Sequence, residues 1–304
     1  MGHFDMPPDP FASTDITVAV DNVSVRYTAP TTDRSARDES GPVGRLLNKV
    51  LRQQPKVSVR ALWGVSFVAR RGESVGIVGL NGSGKSTLLR VIAGLERPIR
   101  GEVHARSQPV LIGVNAALLP ELSGAENVIL GCLAMGLSPE EARAALPGVV
   151  SLAAIGKAIH LPMKTYSSGM AARLRFAIAL ATRPDIMLID EALATGDAAF
   201  KDRSKARMDE MRAGAGTVFL VSHAAQTIEE ECTRAVWLHR GKLIIEGEAE
   251  EVARRYRWFA WNLAKGETDT AKGLLKEAIQ DGTQSQLAIV APPARTTPPR
   301  HARR

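Results

Sequence analysis

The sequence predicts an α/β protein whose chemistry sits at the C-terminal edge of a parallel sheet. Three stretches carry that prediction. Residues 72–90, GESVGIVGLNGSGKSTLLR, run from an apolar segment through a glycine-rich loop into a helical pattern. Residues 184–191, PDIMLIDE, place four apolar residues ahead of two carboxylates. Residues 217–223, TVFLVSH, are a further apolar run that ends in polar side chains. Short apolar runs of this kind, separated by helical segments, mark strands buried on both faces.

Taken in order, residues 1–15 hold Pro7, Pro8 and Pro10 and read as a flexible arm. Residues 16–20 and 23–27 alternate apolar and polar and read as two strands. Tyr27 closes the second, as a stacking surface for a purine or as an ordinary edge-strand aromatic. Residues 28–57 read as an insertion with a helix over 42–53, begun by Pro42. Leu46, Leu47, Val50 and Leu51 form one face of it, and Arg45, Lys49 and Arg52 another. Such a helix either packs its stripe on the protein or lies at a membrane–water boundary.

Residues 57–68 return to strand, with Trp63 and Phe67 available to pack. The loop then supplies Gly79, Asn81, Gly82, Ser83, Gly84, Lys85, Ser86 and Thr87. Glycines let successive backbone N–H groups face one anion, and the following helix N-terminus adds its partial positive charge. Lys85 reaches terminal phosphates and Ser86 ligates Mg²⁺. This spacing in a strand–loop–helix setting is specific for nucleotide phosphates.

Strands over 101–104 and 110–114 precede helices over 122–135, 139–146 and 149–158, a helical lobe spanning about 115–182. Ser167, Ser168 and Gly169 stand before the next helix, either as a cap or as an anion site. Asp190 is placed to hold Mg²⁺ through water, and Glu191 to orient or deprotonate an attacking water. His223 can reach a γ-phosphate or serve a structural role. Residues 236–238 and 243–245 read as a hairpin, followed by a helix over 248–264. Residues 265–304 read as a basic Pro- and Arg-rich tail without fixed structure, apart from one candidate helix over 271–279.

Bulk properties narrow the class. A chain of 304 residues with 45% hydrophobic content can bury a sizeable core. No apolar run approaches the roughly 18 residues that cross a bilayer, so membrane association is expected to be peripheral. Cys132 and Cys232 have no metal-like spacing and read as reduced packing residues. The net charge of +7 suits either nucleic acid or an anionic membrane surface.

The ordered motifs resemble the ATP-binding-cassette ATPases over roughly residues 16–250. The fold implied is a P-loop NTPase domain with an antiparallel β subdomain and a helical signature lobe. On that resemblance residues 79–87 are the Walker A loop and 186–191 the Walker B strand. Residues 166–170, YSSGM, stand where LSGGQ belongs. Asp197 falls in the D-loop, His223 is the switch histidine, and Tyr27 stacks on adenine. The resemblance further implies a homodimer that holds ATP and Mg²⁺ between the Walker loop of one copy and the Ser167–Gly169 segment of the other.

YSSGM and the run DEALATGDAAF look like the polysaccharide-export branch, the Wzt, KpsT and TagH-like ATPases. That branch implies two copies of a polytopic permease, a lipid-linked glycan as cargo, and a place on the cytoplasmic face of the membrane. Ala- and Arg-rich usage suits an actinobacterial galactan-precursor exporter. The stretch after Ala264 is too short for a carbohydrate-binding β-sandwich. Val114-Asn115 replaces the usual Q-loop glutamine. An importer or drug exporter shares the chemistry. A nucleic-acid-acting ATPase is disfavoured, because neither tandem cassettes nor a long coiled coil is present.

Overall fold

The computed structural model describes residues 15–30, 56–112, 118–190, 200, 216–222 and 224–282. Two sheets organise it. β1 (Ile16–Pro30), β2 (Lys56–Arg70) and β4 (Arg100–Ala105) form an antiparallel sheet in the order β2-β1-β4. β3 (Ser74–Val78), β5 (Val110–Leu111), β6 (Ile186–Asp190), β7 (Thr217–Val221), β8 (Arg234–His239) and β9 (Lys242–Glu248) form the second, in the order β5-β6-β7-β3-β8-β9. Its neighbours run parallel except for the β8–β9 hairpin. Every residue of β3 and β7 is buried, as continuous apolar strands require.

Helix α1 (Lys85–Ile92) fills the space between the sheets. Leu88 and Leu89 share one core with Val20 and Phe67 of the antiparallel sheet and with Ile77 of β3. Phe67 meets Phe219 edge-on at 6.3 Å, joining the two sheets across that core. The opposite face of the parallel sheet is covered by α5 (Ala225–Glu231), α6 (Ala249–Ala264) and α7 (Thr268–Asp281). Tyr256 and Phe259 of α6 close there on Trp237. A third core holds the lobe of α2 (Gly124–Ala134), α3 (Pro139–Ala153) and α4 (Ser168–Ala181), through Val128, Cys132, Val149, Leu174 and Ile178. Among the described residues no helix is long and apolar enough to cross a membrane.

Four expectations change. The strands read over 16–20 and 23–27 are one strand, bulged where Asn22 takes φ 49° and its N–H bonds Ser66 Oγ at 2.8 Å. Pairing on both sides carries β1 through a polar step that looks like a turn in isolation. The helices read over 139–146 and 149–158 are a single α3 with Pro147 inside it, followed by a 3₁₀ turn over Gly156–His160. Burial of Ala142, Val149 and Ala153 on the lobe outweighs the one hydrogen bond a proline removes. The strand expected over 110–114 is Val110–Leu111. The ordered domain passes the expected boundary at 264, since α7 buries Ala271 and Ala278 against the core. The arm, the helix expected at 42–53, Val114-Asn115 and the tail after 282 lie outside the described residues.

Candidate nucleotide-binding site

β3 delivers the loop 79–84 to the sheet edge, and α1 starts immediately after it. Gly84 is the N-cap of α1, with φ 105° and no side-chain hydrogen bond, and the first turn of α1 carries no acidic residue. The first amides of the helix are therefore left to an outside anion. A Cβ on Gly84 would fall 2.5 Å from the Ala61 carbonyl oxygen and 2.8 Å from Leu62 Cδ2, so β2 presses the loop where only glycine fits. Gly82, at φ 75°, and Asn81 lie at the exposed crest. The Ser83 hydroxyl is buried with no hydrogen-bond partner among the described residues.

Lys85 is only 6% exposed. Its Nζ donates to the carbonyl oxygens of Gly79 at 2.7 Å and Leu80 at 3.1 Å, which hold the ammonium back over the loop. Burial lowers its pKa, and the nearby Asp190 charge offsets that in part. Ser86 Oγ donates to Asp190 Oδ2 at 2.8 Å, although 104 residues separate them. Register explains the meeting. Asp190 ends β6 opposite Val221 of β7, which in turn pairs with Ile77 of β3. The acid-tipped strand and the loop strand thus finish together at one edge.

A hydroxyl and a carboxylate in contact beside an uncapped helix N-terminus fit Mg²⁺ bound together with phosphates. That metal takes a few protein oxygens and completes its shell from substrate and water. Among the described residues no cluster of three or more His, Cys, Asp or Glu could hold a metal without such help.

Ser167 caps α4, its Oγ accepting from Met170 N–H at 3.2 Å. Ser168 opens the helix, and a Cβ on Gly169 would meet only Ser167 Oγ, at 3.9 Å, so the capping reading holds without closing the helix N-terminus. Tyr166 anchors the segment, donating from its hydroxyl to the Ala158 carbonyl at 2.6 Å. The segment of residues 167–169 rests on the lobe core and the phosphate loop on the inter-sheet core, so they belong to separate bodies of packing. Tyr27 is 36% exposed on β1, opposite Val59 in the hairpin that presses the loop. Thr87 sits half-buried in the first turn of α1. Glu191, Asp197 and His223 lie outside the described residues.

The sequence reading missed the contribution of the β8–β9 turn. Gly241 N–H donates to the Ser83 carbonyl at 2.9 Å, and its own carbonyl accepts from Trp63 N–H at 2.8 Å. The available signal was the Arg240-Gly241 pair, which takes φ 48° and 78° as a two-residue hairpin turn demands.

A phosphate loop braced by an antiparallel sheet, an acid-tipped neighbouring strand and a second open helix N-terminus on a helical lobe define an ATP-binding cassette. Residues 62–194 match the family model described as ABC transporter. The chain is 38% identical over 259 residues to the teichoic acids export ATP-binding protein TagH of Bacillus cereus, covering 85% of this chain and 47% of that protein. It is 39% identical over 205 residues to TagH of Staphylococcus haemolyticus, covering 67% of this chain and 78% of that one. Among solved structures, the ATP binding subunit of an ABC transporter superposes with TM-score 0.62 at 26% identity, covering 79% of this chain and 93% of that chain. The chain belongs to the ABC transporter ATP-binding proteins, in the branch that holds the teichoic acid export subunits. It spans less than half the length of the Bacillus cereus relative.

Proposed function

We propose that this chain hydrolyses ATP to drive export of a lipid-linked polysaccharide through a separate membrane permease. The contact between Ser86 and Asp190, beside the open N-terminus of α1, is the observation that carries the ATPase half of the reading. Similarity to teichoic acid exporters supports the cargo half.

In this reading the amides of residues 82–87 and the Lys85 ammonium hold the β- and γ-phosphates, while Tyr27 stacks on the adenine. Ser86 and, through water, Asp190 would hold Mg²⁺, which would supply positive charge against the phosphate oxygens. Glu191 accepts a proton from the attacking water, and His223 steadies the γ-phosphate. Ser167, Ser168, Gly169 and Asp197 of a second copy complete the site, so the working unit is a homodimer. Closure on ATP and release after hydrolysis move two attached permease subunits. The assembly sits on the cytoplasmic face of the membrane, with the basic and apolar residues of 42–53 at the lipid surface and no nucleic acid involved.

Glu191→Gln tests the reading. Hydrolysis should fall by orders of magnitude, a dimer should accumulate with MgATP, and polymer export should stop in cells. Near-parental turnover in that variant contradicts the proposal.

A further inference from the structure

Three segments distant in sequence meet behind the phosphate loop with no space between them. The Ala61 carbonyl oxygen would lie 2.5 Å from a Cβ on Gly84 and 2.7 Å from one on Gly241. A Cβ on Gly241 would also meet Ala61 C at 3.0 Å and Leu62 Cα at 3.2 Å, all of it backbone that cannot rotate away. Just before that turn, in β8, the Leu238 carbonyl oxygen lies 2.3 Å from where a Cβ of Gly79 would be. The end of β8 therefore closes on the start of the loop, and the turn after it closes on the far end.

The grip has a direction. The Ser83 carbonyl points at the turn, because it accepts the Gly241 N–H at 2.9 Å. In a planar trans peptide the N–H of the next residue points the opposite way. The Gly84 amide is therefore aimed away from the turn, and no acceptor among the described residues takes it. The Gly241 carbonyl meanwhile holds Trp63 N–H at 2.8 Å, which fixes the Tyr27-bearing hairpin to the same point.

We propose that Gly241 is a positioning residue for nucleotide binding: its turn locks the Ser83–Gly84 peptide in the orientation that presents the Gly84 amide to a phosphate. This rests on the nucleotide-binding reading of the loop. Nothing but hydrogen fits at position 241, so any side chain there must push the turn off β2, and the Ser83 carbonyl loses its donor.

The test uses the full chain, MgADP as the probe, and calorimetric titration beside thermal melting without nucleotide. Gly241→Ala adds the Cβ. Gly241→Asn adds it in a residue that tolerates positive φ, so the contact is tested with less backbone strain. Gly266→Ala is the control, since Gly266 has φ 85° but nothing within 4 Å of its Cβ position. Both 241 variants should bind MgADP about tenfold weaker or worse, the worth of one hydrogen bond to a charged group. Their melting without nucleotide should fall below that of the control, because the clash and the lost Ser83 hydrogen bond add to the φ strain, so the titrations are run well below every melting point; the control should keep parental affinity. Binding by the 241 variants within about twofold of the parent overturns the proposal, and so does an equal loss in Gly266→Ala. A parent that fails to bind MgADP overturns the nucleotide reading itself, a result set apart because all four proteins then behave alike.

Discussion

Lys85→Met should separate nucleotide binding from stability. Lys85 is 6% exposed, and burial is the largest influence on its pKa, which lies below the ordinary value of 10.5. The folded state therefore holds the proton less tightly than the unfolded chain does. That penalty is complete below the folded pKa and fades as pH rises toward 10.5, so the nucleotide-free protein gains stability over that window. Methionine removes the buried charge but strands two carbonyls, of which Leu80 still accepts Ser83 N–H at 3.0 Å. Loss of desolvation and loss of hydrogen bonds oppose each other, so nucleotide-free stability should move by no more than about 1 kcal/mol. Binding has no such compensation. Removing a charged donor to phosphate costs about 1.5–3 kcal/mol, roughly a factor of 30 in affinity. Nucleotide at about 100 times the parental Kd stabilises the parent by about 2.7 kcal/mol and the variant by roughly 0.9. Thermal melts with and without MgADP read this directly, at about 2–4 °C per kcal/mol for a domain of this size. A variant that melts far below the parent without nucleotide, or that keeps the full nucleotide shift, refutes the reasoning.

Two further outcomes follow from the geometry. Asp190→Asn should keep ADP binding in the presence of a chelator but lose most of the added affinity that Mg²⁺ brings, about tenfold, in paired titrations with and without the metal. Equal Mg²⁺ dependence in parent and variant would remove Asp190 from the metal site. Ala278→Asp buries a carboxylate at a position 1% exposed and should undock α7 at a cost of roughly 3 kcal/mol. Hydrogen exchange should then rise across residues 268–281 while MgADP affinity stays at the parental level, because the β8–β9 turn is held by its own bonds to the loop.

The site was legible where its chemistry is local. Gly79 to Thr87 lie within one strand–loop–helix unit, and the apolar run into Asp190 announces a buried strand whose end must reach the sheet edge. What escaped was fixed by partners far along the chain. Asn22 reads as a turn until β2 and β4 pair around it on both sides, and Pro147 reads as a helix end until the lobe buries residues before and after it. Helix α7 was legible as the candidate helix over 271–279, but its docking was not, because its buried contacts are Ala271 and Ala278, two small residues seven apart in a polar stretch. Trp63, read as available to pack, is 44% exposed with the Arg60 guanidinium 4.4 Å over its ring, while its backbone N–H bonds the Gly241 carbonyl. Gly241 and Ser83 stand 241 − 83 = 158 residues apart, and neither residue type hints at the other. A phosphate loop carries its glycines in its own sequence, but the orientation of its peptide planes is set by backbone from two other strands. Motif and brace are thus separate inheritances, and a chain that keeps the first while changing the second would look intact in sequence yet hold nucleotide poorly.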